Sequence, residues 1–379
     1  MKKFYCVLLI ALVLLPGRIP TAAAQHSLDL SARSAVLIDA HTLQVLYAHN
    51  AHTPMPVAST TKIMTALLLL EAGEPGLSLT ATQDMVQVEG TSMGLRAGDS
   101  VTREALAIGL LLASGNDAAN ATAIHLAGSL EYFSHLMNSR ARSLGMTRTH
   151  FVTPSGLDAE GHLSTAYDMA LLGAAAIANA DFRAISSQSS MRAHFGTPPA
   201  WHYLRNHNRL VRELPGCIGV KTGFTRAAGR TLVSAVERNG RTLVAVTLNA
   251  PNDWQDHRRL YGFGFAQYQR VELDIAGDIV ARLPITNGII THANIMLANA
   301  PAAYLQARPA NVQRVLLLRP FEFAPLQAGR VVGTARYYDG TLLLAEAPLV
   351  VQSTVDIARP SRSTTQPSLW RRIRNFFRR

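Results

Sequence analysis

Ala58-Ser59-Thr60-Thr61-Lys62-Ile63-Met64-Thr65-Ala66-Leu67-Leu68-Leu69-Leu70 is the stretch from which the rest of the chain can be read. From Met64 to Leu70 it is apolar but for Thr65, too continuous for a half-exposed strand, and Glu71-Ala72-Gly73 closes it with a glycine stop. That pattern predicts a buried helix with Ser59 at its head. Upstream, residues 34–47 alternate loosely about Asp39-Ala40-His41 and read as a β-hairpin. Downstream, residues 103–112 and 118–127 read as helices meeting at Ser114-Gly115-Asn116, and residues 132–144 as a fourth helix, so the middle of the chain reads as helical. After Pro215-Gly216 the texture turns to β. Residues 218–224 form a short strand, and residues 231–236 and 242–248 flank Asn239-Gly240, a strong hairpin signal. Strands at both ends and helices between them predict one α+β unit whose first and last strands share an antiparallel sheet.

From about Leu273 onward, short β-like runs (Ile289-Ile290, Val315 to Leu318, Val331 to Thr334, Leu342 to Leu344, Leu349 to Val351) alternate with Pro, Gly and Asn and predict a separate small β-rich domain. The expected organisation is an export leader over residues 1–24, a main domain over 25–270, the β-rich domain over 271–358, a polar linker over 359–367 and a terminal segment over 368–379. Lys2 and Lys3, an apolar run over residues 4–15 and Ala22-Ala23-Ala24 have the form of a cleavable secretory signal. The run is shorter than the roughly 20 residues that span a bilayer. In the terminal segment Leu369, Trp370, Ile373, Phe376 and Phe377 share one helical face, and Arg371, Arg372, Arg374, Arg378 and Arg379 fill the rest. That composition predicts an in-plane anchor on an anionic membrane surface, each arginine contributing about 1 kcal/mol; docking on the protein's own body and a free basic tail are the alternatives.

The net charge of +11 is concentrated in the leader and terminal arginines, so it does not argue for nucleic acid. The 13 histidines follow no ligand spacing and the two cysteines, Cys6 and Cys217, form no metal pair, so no metal or cofactor is expected. With Cys6 in the leader, Cys217 stands alone and reads as a buried, inert thiol.

Only four of the 36 basic residues are lysines, and two of those lie in the first three positions. The others are Lys62, in Ser59-Thr60-Thr61-Lys62, and Lys221, in Lys221-Thr222-Gly223. Arginine cannot give up its proton, whereas a desolvated lysine titrates near neutrality and can act as a base. If Ser59 opens the helix, Lys62 lies one turn on and its amine reaches the hydroxyl, while the helix N-terminus offers free N–H groups to an oxyanion. Ser114-Gly115-Asn116 adds a hydroxyl and an amide. Lys221-Thr222-Gly223, on a strand, adds a second cation that would disfavour protonation of Lys62.

These three motifs, in this order and with these flanks, resemble those of the serine D-alanyl-D-alanine carboxypeptidases, the low-molecular-mass penicillin-binding proteins. Phe151 to Asp158, Ser164 to Ala170 and Asn206 to Leu210 extend the resemblance, which is strong over residues 34–265. It implies an α+β, penicillin-recognising serine transpeptidase-like fold, followed by a small all-β domain and a C-terminal amphipathic helix. It also implies that Ser59 attacks the amide between the two terminal D-alanines of a peptidoglycan stem peptide, with Lys62 as base and Ser114 as proton relay to the leaving amine. Asn116, Lys221, Thr222, Gly223, Phe224 and Thr225 would bind substrate, the backbone N–H groups of Ser59 and Phe224 would form the oxyanion hole, and β-lactams would acylate Ser59. Arg209, Arg226 and Arg258 are candidate partners for the substrate carboxylate. The localisation implied is the outer face of the cytoplasmic membrane. A D,D-endopeptidase, a β-lactamase and a membrane-anchored wall-binding module without activity are the alternatives; Glu160 is the one glutamate in the loop where a β-lactamase would hold its water, and its Ala159-Glu160-Gly161 setting lacks that enzyme's pattern.

Overall fold

The computed structural model describes residues 28–358 apart from 308 and 310. The leader, the linker and the terminal segment predicted above lie outside the described residues.

The main unit opens with the hairpin β1 (Ser34–Asp39) and β2 (Val45–His49). A 3-10 turn, Ala58–Thr61, leads into α1 (Lys62–Glu71), followed by β3 (Ser78–Thr80), α2 (Gln83–Val86), β4 (Ser100–Thr102) and α3 (Arg103–Ile108). A π-helical turn, Gly109–Ala113, then precedes α4 (Asn116–Ala127) and α5 (Leu130–Ser143). Next come α6 (Ala166–Ala178), α7 (Ala180–Ser186), the hairpin β5 (Ser190–Gly196) and β6 (Pro199–Arg205), and the short α8 (Leu210–Glu213). The unit closes with β7 (Cys217–Thr225), β8 (Gly229–Arg238), β9 (Arg241–Leu248) and α9 (Asp253–Gln267).

The main sheet runs β2-β1-β9-β8-β7, antiparallel throughout. The first and last strands of the unit pair, as predicted, Val36 lying opposite Val246. Alternation along the strands serves two cores. Val36, Ile38, Val244 and Val246 join the core of α1 and α6, whereas Leu37, Leu243 and Ala245 join Leu260 and Tyr261 of α9. Because both faces are covered, β1 is buried along its whole length and reads as a solid apolar run.

One expectation changes here. The middle of the chain is not all helix, because β5 and β6 pair with each other and extend β3 and β4 into a second, four-stranded sheet. The segment after the last main strand, for which the sequence pattern predicts no element, forms α9, which covers the outer face of the main sheet.

The C-terminal region comprises β10 (Gln269–Glu272), β11 (Ile279–Thr286), β12 (His292–Leu297), β13 (Ala302–Leu305), β14 (Gln313–Leu318), β15 (Glu322–Phe323), β16 (Val331–Asp339) and β17 (Leu342–Val351). A six-stranded sheet runs β14-β16-β17-β12-β11-β15, and β10 pairs with β13. This all-β unit has its own core, centred on Ile295, Leu297, Ala335, Leu349 and Val351. Residues 342–344 and 349–351 belong to one strand, not two. Ile289 and Ile290 are not strand at all; they are exposed in the turn between β11 and β12. A pair of β-branched residues carries no register by itself, and the Asn287-Gly288 turn beside it decides the local path. At the junction, Arg241 of β9 pairs with buried Asp39 at 3.1 Å and stacks over the Tyr304 ring of β13.

Candidate active site

Ser59 stands in a 3-10 turn rather than in regular helix, and Ala58 before it adopts φ 48°, left-handed backbone that a non-glycine residue seldom takes. Val57 O holds this kink, accepting from Thr60 Oγ1 at 2.5 Å and from Thr231 Oγ1 of β8 at 3.1 Å. Lys62, the first residue of α1, is fully buried; its Nζ lies 3.0 Å from Ser59 Oγ and donates to Ser155 O at 2.7 Å. Burial holds this ammonium well below the usual lysine value, and nearby Lys221 depresses it further, while the Asp117 carboxylate pulls the other way. Lys221 is 1% exposed, donates to Thr222 O at 2.8 Å and is pushed by burial down to about 7.

A second kink brings up the second serine. The π-helical turn ends at Ser114, whose φ of 57° swings the chain back into α4. Thr91 Oγ1 donates to Ser114 O at 2.6 Å, and Asn116 Nδ2 donates to Glu89 O at 2.5 Å. Asn116 Oδ1 is buried with no partner, an acceptor left for a ligand N–H. Asp117 is wholly buried and accepts from Ser92 Oγ and from the N–H groups of Met93, Gly94 and Leu95, so it ties the loop before β4 to the start of α4.

The third motif lies on β7, which runs against the 3-10 turn. A Cβ on Gly223 would stand 2.9 Å from Ser59 N and 3.0 Å from Thr60 N, so only glycine lets the strand approach so closely. On the other side, a Cβ on Gly156 would fall 1.9 Å from Ala58 O. Ser59 is thus held between β7 and the loop over residues 153–157. At the rim Thr225 Oγ1 donates to Asp158 at 2.8 Å.

Ser59, Ser114, Asn116, Thr222, Gly223, Phe224 and Thr225 line one cleft of about 440 Å³, with Gly90, Thr91, Gly156, Leu157 and His207. Lys62 and Lys221 are buried among these residues. Every site residue expected from the sequence therefore meets in one place. The expected carboxylate partners do not. Arg209 and Arg258 both pair with Glu213, at 3.5 and 2.8 Å, Arg226 is exposed, and none of the three lines the cleft. Arg230 does line it, directly across β7/β8 from Phe224, bonded to Asp253 at 3.0 Å and, like Arg209, stacked on Trp254. A tight β7/β8 turn over residues 226–228 fixes that register. His207 lines the cleft without a motif that marks it as a site residue; burial lowers its pKa, and the Lys221 and Lys62 charges lower it further.

The family model described as D-alanyl-D-alanine carboxypeptidase, Peptidase_S11, matches residues 20–252. The D-alanyl-D-alanine carboxypeptidase DacF of Bacillus subtilis is 30% identical over 368 residues, 93% of this chain and 94% of that protein. DacB2 of Mycobacterium tuberculosis is 37% identical over 246 residues, 63% of this chain and 84% of its own. The crystal structure of penicillin binding protein 5 from Haemophilus influenzae superimposes with a TM-score of 0.69 at 25% identity, covering 87% of this chain and 99% of that one. The chain belongs to the Peptidase_S11 family of serine D-alanyl-D-alanine carboxypeptidases.

Proposed function

We propose that this chain is a penicillin-binding serine D,D-carboxypeptidase that removes the terminal D-alanine from peptidoglycan stem pentapeptides through an acyl-enzyme on Ser59. The observation that carries the reading is the Lys62 amine, 3.0 Å from Ser59 Oγ and depressed by burial and by Lys221. A lysine that spends part of its time neutral takes the hydroxyl proton as Ser59 Oγ attacks the carbonyl between the two D-alanines. The oxyanion forms against the N–H groups of Ser59 and Phe224. The C–N bond breaks as Ser114 relays a proton to the departing amine, and free D-alanine leaves. Water then attacks the ester, Lys62 again taking a proton, and releases the shortened peptide. Asn116 Oδ1 receives a substrate N–H. Thr222, Thr225, Lys221 and Arg230 meet the terminal carboxylate, and the Gly223 backbone runs beside the peptide. A β-lactam follows the acylation half of this course, its ring amide opening onto Ser59.

The purified protein and its Ser59→Ala variant, treated separately with a fluorescent penicillin and a stem pentapeptide, test the reading. It requires stable label and D-alanine release from the wild type and neither from the variant. Label that turns over rapidly without D-alanine would make it a β-lactamase.

The leader composition supports export, and the aromatic and arginine faces of residues 368–379 support peripheral attachment to an anionic membrane. Among the described residues no helix is long and apolar enough to cross a membrane. Deleting residues 368–379 should release the protein from anionic vesicles without loss of penicillin labelling. Retained vesicle binding would remove the anchor from the account. The main domain over residues 25–270 is proposed to carry the chemistry alone, with residues 271–358 as a spacer.

A further inference from the structure

His162 takes no part in the chemistry above, yet it is 4% exposed and makes hydrogen bonds through both ring nitrogens. Nδ1 accepts from Val152 N at 3.0 Å and from Thr153 N at 3.2 Å. The neutral ring therefore carries its proton on Nε2, which donates to Thr61 Oγ1 at 2.8 Å. Thr61 precedes Lys62, and residues 152–153 begin the loop whose carbonyls receive the donors of α1, Lys62 Nζ on Ser155 O and Thr65 Oγ1 on Pro154 O at 2.6 Å. One imidazole thus ties the two walls around Lys62, the turn that bears it and the loop that roofs it. The charged groups acting on that pair are Lys221 and Asp117 at Lys62, and His150 and Asp158 at His162.

We propose that His162 is a positioning residue that keeps the Lys62 amine dehydrated and pointed at Ser59 by clamping residues 152–157 onto the head of α1. The proposal rests on the reading of Lys62 as the base. Its physical content is that burial is the largest cause of the depressed Lys62 pKa. Once the clamp is released, water reaches the amine and its pKa climbs toward the ordinary lysine value. The ring is itself held neutral, pushed down to about 4 chiefly by burial, so the acceptor at Nδ1 persists at working pH.

The lysine count makes the test direct, since Lys62 and Lys221 are the only lysines beyond the first three positions. In protein carrying ¹³Cε-lysine the Lys62 resonance can be titrated without reference to catalysis, alongside the pH profile of penicillin acylation. His162→Ala should move the Lys62 midpoint, and the acid limb of acylation, upward by about one pH unit, and slow acylation at pH 7 about tenfold or more. His162→Gln, whose amide supplies one acceptor and one donor and cannot be protonated, should restore both. Thr61→Val cuts the same link from the other wall and carries the test if His162→Ala does not fold. Acylation lost with an unmoved Lys62 midpoint, or a folded His162→Gln as defective as alanine, would overturn the proposal. An upward-shifted Lys62 with unaltered acylation would sustain the clamp and sink the assignment of Lys62 as base.

Discussion

The cleft-bearing unit and the C-terminal sheets bury similar apolar side chains and treat charge in opposite ways. In the cleft-bearing unit Lys62, Lys221, Asp117, Asp168, Asp253 and Asp256 are all buried. In the C-terminal sheets Glu322 is the one charged side chain buried among the described residues, and it is paired with Arg319 and Arg330. Removing an ion from water costs several kcal/mol unless a partner offsets it, so the sheets follow the rule that favours stability. The cleft departs from it with two lysines, for which no carboxylate partner is found among the described residues, and that departure is what weakens the hold of both amines on a proton.

The contrast can be broken most sharply at Lys62. Lys62→Arg keeps a cation but removes the titrating amine, and penicillin acylation should fall by about 10³-fold, within the usual span for a lost general base; normal labelling kinetics would end the argument from burial. Asp117→Asn should come next. It weakens four hydrogen bonds that hold residues 92–95, and calorimetry should record about 2–4 kcal/mol lost from the main unit with little change in the C-terminal sheets. A shared loss would mean that the two regions unfold as one.

The pH dependence of stability follows from the sign of the Lys221 shift. Its folded pKa of about 7 lies below the ordinary 10.5, so between those values the unfolded chain binds the proton that the folded one has released. Stability of the main unit should rise with pH across that window and level off below 7. Lys221→Met should flatten the rise of the melting temperature between pH 7 and 9, and the C-terminal sheets should show no such slope. Ile295→Ala is expected to have the smallest effect on the site, costing the C-terminal core about 2–5 kcal/mol while leaving acylation unchanged. Slower acylation in that variant would give the sheets a part in shaping the cleft.

What was legible in the sequence was whatever had a local period or a local chemical conflict. The apolar run of α1, the Asn239-Gly240 hairpin and the anomaly of two isolated lysines are all of that kind. The α9 helix was not, because it mixes Arg258, Arg259, Gly262 and Gly264 with its core residues Leu260 and Tyr261. The β5/β6 hairpin follows helices and turns through Thr197-Pro198, without the glycine-paired signal that marks β8/β9. Arg230 became visible only once cross-strand register placed it opposite Phe224. His162 and Thr61 are 101 positions apart, a link that no local pattern carries.

Cys217 has a use that no catalytic argument touches. Among the described residues it is the sole free thiol, it lies on β7 four positions before Lys221, and burial raises it to about 11. A thiol so protonated and so covered is silent to alkylating reagents while the strand stays in the sheet. The rate at which a maleimide consumes it therefore clocks the opening of β7, and a ligand that seals the cleft should slow that clock.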